Sequence, residues 1–358
     1  MFSHCLPRAR AHYPICRLIS TTAMKSYLAS LALALVAIVA LPQADAARVV
    51  GMYYPNRPEA PRIEDVQLKA STHVFYAFVI PNADGSLPTP EGLAHFAQVV
   101  RSKGAKPVLS IGGGGQSANF PPLAASAASR NTFVQAVRSL VNKYNLEGVD
   151  IDWEFPDSDS DFNNYRVLAQ QVRQALGAGK VVSAALPGWI SRDQMAPIVN
   201  ESLDFVNLML YDNVYSNDGR PNAALMGDDS SVQSAVGNWL GAGVPASKLV
   251  VGVPFYGYEG KKAITYRDIK PLESSWEFFM NEASFTPQLV QDGRTITYDN
   301  PTSITAKAKF TACMNLRGVF AWEVTQDDAD GSLLNALGTS YPGGNGNSDA
   351  CLEEATST

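Results

Sequence analysis

Eight short apolar runs recur along the chain, each followed by room for a helix. They are Arg48–Tyr53, Thr72–Ile80, Lys106–Ile111, a run from Leu146 stopped by Pro156, Lys180–Leu186, Asp204–Tyr211, Lys248–Pro254 and Arg317–Trp322. Strands that are apolar at nearly every position are buried on both faces, as in parallel sheets covered by helices. The intervening stretches Arg62–Ala70, Glu91–Ser102, Asn131–Tyr144, Asp161–Leu176, Asp193–Asn200, Ser231–Leu240 and Ser303–Met314 read as helices, and Ser332–Leu337 as a last short one. In Asn131–Tyr144 the apolar positions Phe133, Val137, Leu140 and Val141 carry the helical period. Eight such alternations predict an α/β fold, a (β/α)8 TIM barrel, with an open doubly wound sheet as the other arrangement. The connection from Tyr256 to Pro301 is too long for an ordinary loop and is expected to form a small insertion between strands 7 and 8.

The fourth run differs from the rest. Asp150, Asp152 and Glu154 alternate with Ile151, Trp153 and Phe155. Period-two spacing sends the three carboxylates to one face of a strand and the bulky apolar groups to the other. Stacked acids repel one another and are costly to bury, so a plain core strand does not carry them. Pro156 ends the strand and leaves Glu154 at its C-terminal end, where parallel α/β folds place their chemistry.

Residues 1–46 read as a signal peptide: Lys25, the apolar run Tyr27–Leu41, and a small-x-small site at Ala44–Ala46. The run is shorter than the ~20 residues of a membrane span. Met24, directly before Lys25, is a candidate natural start. The reading implies a secreted, extracellular or periplasmic protein with no membrane association after cleavage. Residues 47–340 would form the barrel and 341–358 a flexible Gly/Ser/Asn-rich tail. In an oxidising compartment Cys313 and Cys351 would pair. A net charge of −6 without a Lys/Arg run argues against nucleic acid. No glycine fingerprint opens a helix, no Lys-Ser/Thr follows Gly112–Gly115, and neither His73 nor His95 belongs to a metal-ligand cluster. No metal or cofactor is implied, and a monomer is expected.

The run Glu147-Gly148-Val149-Asp150-Ile151-Asp152-Trp153-Glu154 resembles the D-G-x-D-x-D-W-E signature of glycoside hydrolase family 18, the chitinases. Four further segments resemble that family in order: Ser110-Ile111-Gly112-Gly113, Met209-Leu210-Tyr211-Asp212, Gly252 to Gly257, and Ala321-Trp322-Glu323. The likeness covers about residues 48 to 330. Two positions depart from it. Glu147 replaces the usual Asp, and Gly114 stands where a sugar-stacking tryptophan is common.

The resemblance implies a secreted retaining chitinase acting on chitin or N-acetylglucosamine oligosaccharides by substrate-assisted catalysis. Glu154 would be the general acid and later the base, with its pKa raised by the carboxylates behind it. Asp152 would hold the acetamido N–H, and Asp150 would share a proton with Asp152 and tune it. Tyr211 would donate to the acetamido oxygen, and Trp322 would floor the reacting sugar. Asp212 would bind a hydroxyl or support Glu154, and Met209 belongs to the same matched segment. Tyr53, Phe78, Trp189 and Tyr215 sit at or beyond strand ends, where groove lining and core packing both remain open. The alternatives within the family are an endo-β-N-acetylglucosaminidase, a peptidoglycan hydrolase, or a chitinase-like lectin that binds without cutting. The lectin reading conflicts with the presence of Glu154, Asp152 and Tyr211 together.

Overall fold

The computed structural model describes residues 48–216 and 220–357. The expected signal peptide and the candidate start at Met24 lie outside the described residues. Strands β1 (Val49–Pro55), β2 (His73–Val79), β3 (Lys106–Gly112), β4 (Gly148–Asp152), β5 (Val181–Pro187), β6 (Phe205–Met209) and β7 (Leu249–Pro254) form the first seven staves of a barrel. After them come β8 (Tyr256–Glu259), β9 (Lys262–Thr265), β10 (Glu277–Asn281), β11 (Thr286–Gln291) and β12 (Arg294–Thr297). The last barrel strand is β13 (Gly318–Trp322), which pairs in parallel with both β7 and β1 and closes the ring. The eight expected apolar runs are these eight parallel strands, and the barrel, not the open sheet, is the fold.

The inserted strands make a separate five-stranded antiparallel sheet in the order β10-β11-β12-β8-β9. A hairpin-rich sheet gives no period distinct enough to separate it from a loop in the sequence, which is why only its length was legible.

Side chains on the two faces of the strands form two cores. Inside the barrel pack Val49, Tyr53, Phe75, Val108, Phe205, Val250 and Phe320. Outside, Ile151 and Trp153 pack against the helices, with Trp153 stacked between Phe120 (5.3 Å) and Tyr165 (5.5 Å). Gly148 starts β4 because nothing larger fits: a Cβ there would lie 1.9 Å from the carbonyl oxygen of Val181. Glu147, just before it, meets Lys106 at 2.6 Å. The departure from the usual Asp therefore lies at the N-terminal end of β4, away from Glu154.

Three expectations need correction. Arg62–Ala70 is not a helix; only Ile63–Asp65 makes a single tight turn, because Arg62 is extended and Val66 leaves the helical region. A short helix, Phe120–Ala125, precedes Ala127–Lys143 and was not anticipated. Past Tyr341, Ser348–Thr356 forms a helix where a loose tail was expected. Asn347 caps it by accepting from the Ala350 N–H, and Cys351 and Ala355 are buried. The Sγ atoms of Cys351 and Cys313 are bonded, with the Cα atoms 5.5 Å apart, tying this helix to Pro301–Cys313.

That bond closes a loop of 38 residues. The Cys313→Ala/Cys351→Ala variant should lose about 2–4 kcal/mol in urea denaturation, with kcat unchanged. Faster amide exchange should appear first in Ser348–Thr356.

Candidate active site

Asp150, at the middle of β4, is completely buried inside the barrel. Its Oδ2 accepts from the hydroxyls of Tyr53 and Ser110, each at 2.8 Å. Its Oδ1 accepts from Ser183 at 2.7 Å and from the Asn207 amide at 3.4 Å. Asn207 also donates to Tyr53 at 3.0 Å. Burial raises the Asp150 pKa, and these hydrogen bonds oppose the rise.

Asp152, the last residue of β4, is 2% exposed. Burial, then the charges of Glu154 and Asp150, push its carboxyl well above the usual range. Its hydrogen bond with Glu154 raises its pKa further and lowers that of Glu154. The other oxygen, Asp152 Oδ1, has no hydrogen-bond partner among the described residues.

Glu154 lies two residues beyond β4 rather than within it. Its backbone N–H donates to Ser117 Oγ at 2.9 Å, and that hydroxyl reaches the Asp152 carbonyl at 3.2 Å. Burial is the largest cause of its raised pKa; the Asp152 hydrogen bond opposes it and the Asp212 charge adds to it. The expected repulsion from the carboxylates behind it is not the cause.

Two cavities meet over Glu154. One, of about 540 Å³, is lined by Asp152, Phe78, Trp322 and Gly114 among others. The other, of about 600 Å³, is lined by Phe155, Trp189, Arg192 and Tyr215 among others. Glu154, Met209, Tyr211 and Asp212 border both. The half-buried Tyr211 follows β6 and packs edge-on to Tyr256 and Phe320. Its hydroxyl makes no hydrogen bond among the described residues, and burial holds its pKa well above 10, so it remains a donor. Trp322 ends β13 and stacks on Phe78 at 5.4 Å.

Gly112 and Gly113, at the end of β3, admit no side chain. A Cβ would lie 2.1 Å from the Asp152 carbonyl oxygen in one case and 2.5 Å from the Phe78 ring in the other, and both have φ near +100° (+111° and +96°).

Tyr53 is only 1% exposed, so it borders the first cavity from beneath and its hydroxyl serves Asp150. Trp189 and Tyr215 are groove residues and not core. Asp212 accepts from the Tyr256 hydroxyl at 2.6 Å and Tyr258 at 2.9 Å. Neither tyrosine was singled out by motif role, and Ser117, Ser183 and Asn207 gave no signal either. Their types are common inside barrels, and only the fold brings them to the carboxylates. Among the described residues no cluster of His, Cys, Asp and Glu could hold a metal.

The family model for glycosyl hydrolases family 18 matches residues 49–327. The chain belongs to glycosyl hydrolases family 18. It is 27% identical over 347 residues to Chitinase 1 of Aphanocladium album, covering 78% of this chain and 80% of that one. A mutant class V chitinase of Nicotiana tobaccum, solved in complex with NAG4, superposes with a TM-score of 0.73 at 25% identity, covering 82% of this chain and all of that one. A chitinase-like agglutinin of Robinia pseudoacacia superposes at 0.71 with 27% identity, covering 80% and 99%. Proteins described as chitinases and one described as a chitinase-like agglutinin thus share this barrel.

Asp212 supplies a direct test of the electrostatics. Its charge raises the Glu154 pKa, so Asp212→Asn lowers it. Were Glu154 the acid of a hydrolysis, it would then lose its proton at lower pH, and the basic limb of the kcat/KM profile should move down. A limb that stays in place would show that Asp212 does not tune Glu154.

Proposed function

We propose that this family 18 protein is a secreted retaining chitinase, hydrolysing β-1,4-linked N-acetylglucosamine polymers with the help of the substrate's own acetamido group. The carrying observation is the buried Asp152 Oδ1, which has no partner among the described residues, with the Tyr211 hydroxyl free to donate into the same cavity. An N-acetyl group presents the complement, an N–H for Asp152 and a carbonyl oxygen for Tyr211. A buried polar group without a partner is costly, so the site favours a ligand that supplies one. The named chitinases among the relatives, and the NAG4 complex of one of them, support the same substrate.

The reaction then follows from positions and protons. Trp322 underlies the reacting sugar, since an aromatic face packs well on a pyranose ring. Glu154 delivers the proton it shares with Asp152 to the glycosidic oxygen as the C1–O bond breaks, leaving Asp152 a carboxylate. The acetamido oxygen, aligned by Tyr211, forms the new bond to C1 from the opposite face. The oxazolinium carries positive charge, which the Asp152 carboxylate stabilises as its Oδ1 accepts a hydrogen bond from the N–H. Glu154, now a carboxylate, accepts a proton from water as the water attacks C1 and the acetamido bond to C1 breaks. Two displacements at one centre retain the β configuration. Asp150, fixed by its four donors, keeps Asp152 in register beneath this site.

The Robinia relative favours testing the binding-only reading directly. Wild-type protein should release β-anomeric products from N-acetylglucosamine oligomers, read by NMR within minutes of mixing. Glu154→Gln should lower kcat by at least about a thousandfold, on the scale that a lost general acid and nucleophile-activating base implies, with oligomer affinity retained. α-anomeric products would sink the substrate-assisted route. Binding without turnover by the wild type would make the protein a lectin.

A further inference from the structure

Residues 222–225 are no more than 2% exposed and belong to no helix or strand. Buried backbone outside regular structure must find each hydrogen bond separately. Asn222 supplies two acceptors to the chain leaving β6. Its Oδ1 accepts from the Asp212 N–H at 2.7 Å, and its carbonyl accepts from the Asn213 N–H at 3.2 Å. The amides on either side of the Asp212 Cα are thus held by one residue.

The next residue is held from outside the groove. The Ala223 carbonyl accepts from Lys307 Nζ at 2.7 Å, and the same ammonium donates to both Asp299 oxygens, at 2.7 and 2.6 Å. Each of its three N–H groups therefore has an acceptor. The Lys307 and Asp299 side chains are 0% and 2% exposed, and neither borders the two cavities. Both are mounted on one rigid element. Asn300 caps the helix Pro301–Cys313, Asp299 precedes that cap, and Lys307 stands inside the helix. Ser303 Oγ braces Asp299 by donating to its Oδ1 at 2.6 Å. Beyond its own helix, the pair reaches the segment that holds Asp212.

We propose that Lys307 and Asp299 are positioning residues for the reaction at Glu154: through Ala223 and Asn222 they fix where the Asp212 carboxylate stands. The inference rests on the functional reading above. Without the clamp, the distance from Asp212 to Glu154 is no longer held, and the charge that raises the Glu154 pKa acts less strongly. Other groups cannot take over this part. Asp152, Arg57 and Arg192 also border the cavities, but on other segments, and Arg220 pairs with Asp229 at 2.8 Å. Tyr256 and Tyr258, which donate to Asp212, and Tyr211 beside it are kept neutral by burial. Tyr215 meets the Tyr258 hydroxyl at 3.5 Å.

The test is a double-mutant cycle in the full chain, read as the pH profile of kcat/KM on an N-acetylglucosamine oligomer. Lys307→Met/Asp299→Leu removes both charges and strands neither. It should move the basic limb down by about 0.5 pH unit, the order of one carboxylate–carboxylate interaction in a wet groove. Added to Asp212→Asn, the same pair of substitutions should move the limb no further. A lower Tm with the limb in place overturns the proposal, because a purely structural pair changes Tm and not the limb. So does a pair variant that shifts the limb equally with and without Asp212. Asn222→Ala keeps the ion pair and cuts its link to the Asp212 N–H, so it should move the limb as the pair variant does. A limb unmoved by Asn222→Ala overturns the proposal whether or not the pair variant folds. Absence of cleavage by the wild type defeats the chitinase reading and not this one: the same shifts are then read on the Glu154 carboxyl by 13C NMR.

Discussion

A carboxyl group with no solvent exposure at the centre of a barrel must find its donors inside that barrel, and Asp150 takes them from four other strands. Tyr53 comes from β1, Ser110 from β3, Ser183 from β5 and Asn207 from β6. Ser110 and Ser183 are direct lateral neighbours in the ladder, in register with Asp150 on either side. Tyr53 and Asn207 reach across the interior. A slip of one residue in any of these strands would withdraw a donor and leave a buried acceptor unpaired, at a cost of about 1–3 kcal/mol. The network therefore fixes barrel register as well as chemistry, and the sheet and the site are parts of one constraint.

From that fixed point the acids differ by environment alone. Asp150 is surrounded by donors, Asp152 by other acids and apolar walls, and Glu154 by the groove. Burial is the leading cause of the raised pKa at all three. The hydrogen bonds then sort them, lowering Asp150 and Glu154 and raising Asp152. β4 and the two residues after it thus carry a carboxyl saturated by donors, one raised by its acidic neighbours and one that borders the groove.

Much of this was legible in the sequence, for identifiable reasons. The parallel strands announce themselves because both of their faces are apolar. The acidic strand announces itself because nothing but function keeps alternate carboxylates in such a run. What was not legible depends on contacts between distant segments. Nothing near Ser117 in the chain says that its hydroxyl pins Glu154 from 37 residues away. Nothing in Tyr256 or Tyr258 says that both bind Asp212. The tail was misread because the Gly/Asn-rich stretch up to Asn347 masks the helix formers Ala350, Leu352, Glu353, Glu354 and Ala355 behind it, which Cys351 ties down.

Asp212 shows how far behind the groove its geometry is determined. Its φ is +67°, a left-handed conformation that costs a non-glycine residue roughly 1–2 kcal/mol unless its surroundings impose it. Its N–H donates to Asn222 Oδ1 at 2.7 Å, and Asn222 is 1% exposed. The next residue, Ala223, gives its carbonyl to Lys307 Nζ at 2.7 Å. Lys307 is completely buried and held by both oxygens of Asp299, at 2.7 and 2.6 Å. Burying such a pair gains little net stability, but removing one partner leaves a charge stranded. Its physical return here is position: it clamps the segment that holds Asp212, and the charge of Asp212 in turn raises the pKa of Glu154. The ion pair lies outside the groove, yet the proton chemistry at Glu154 is set partly through it.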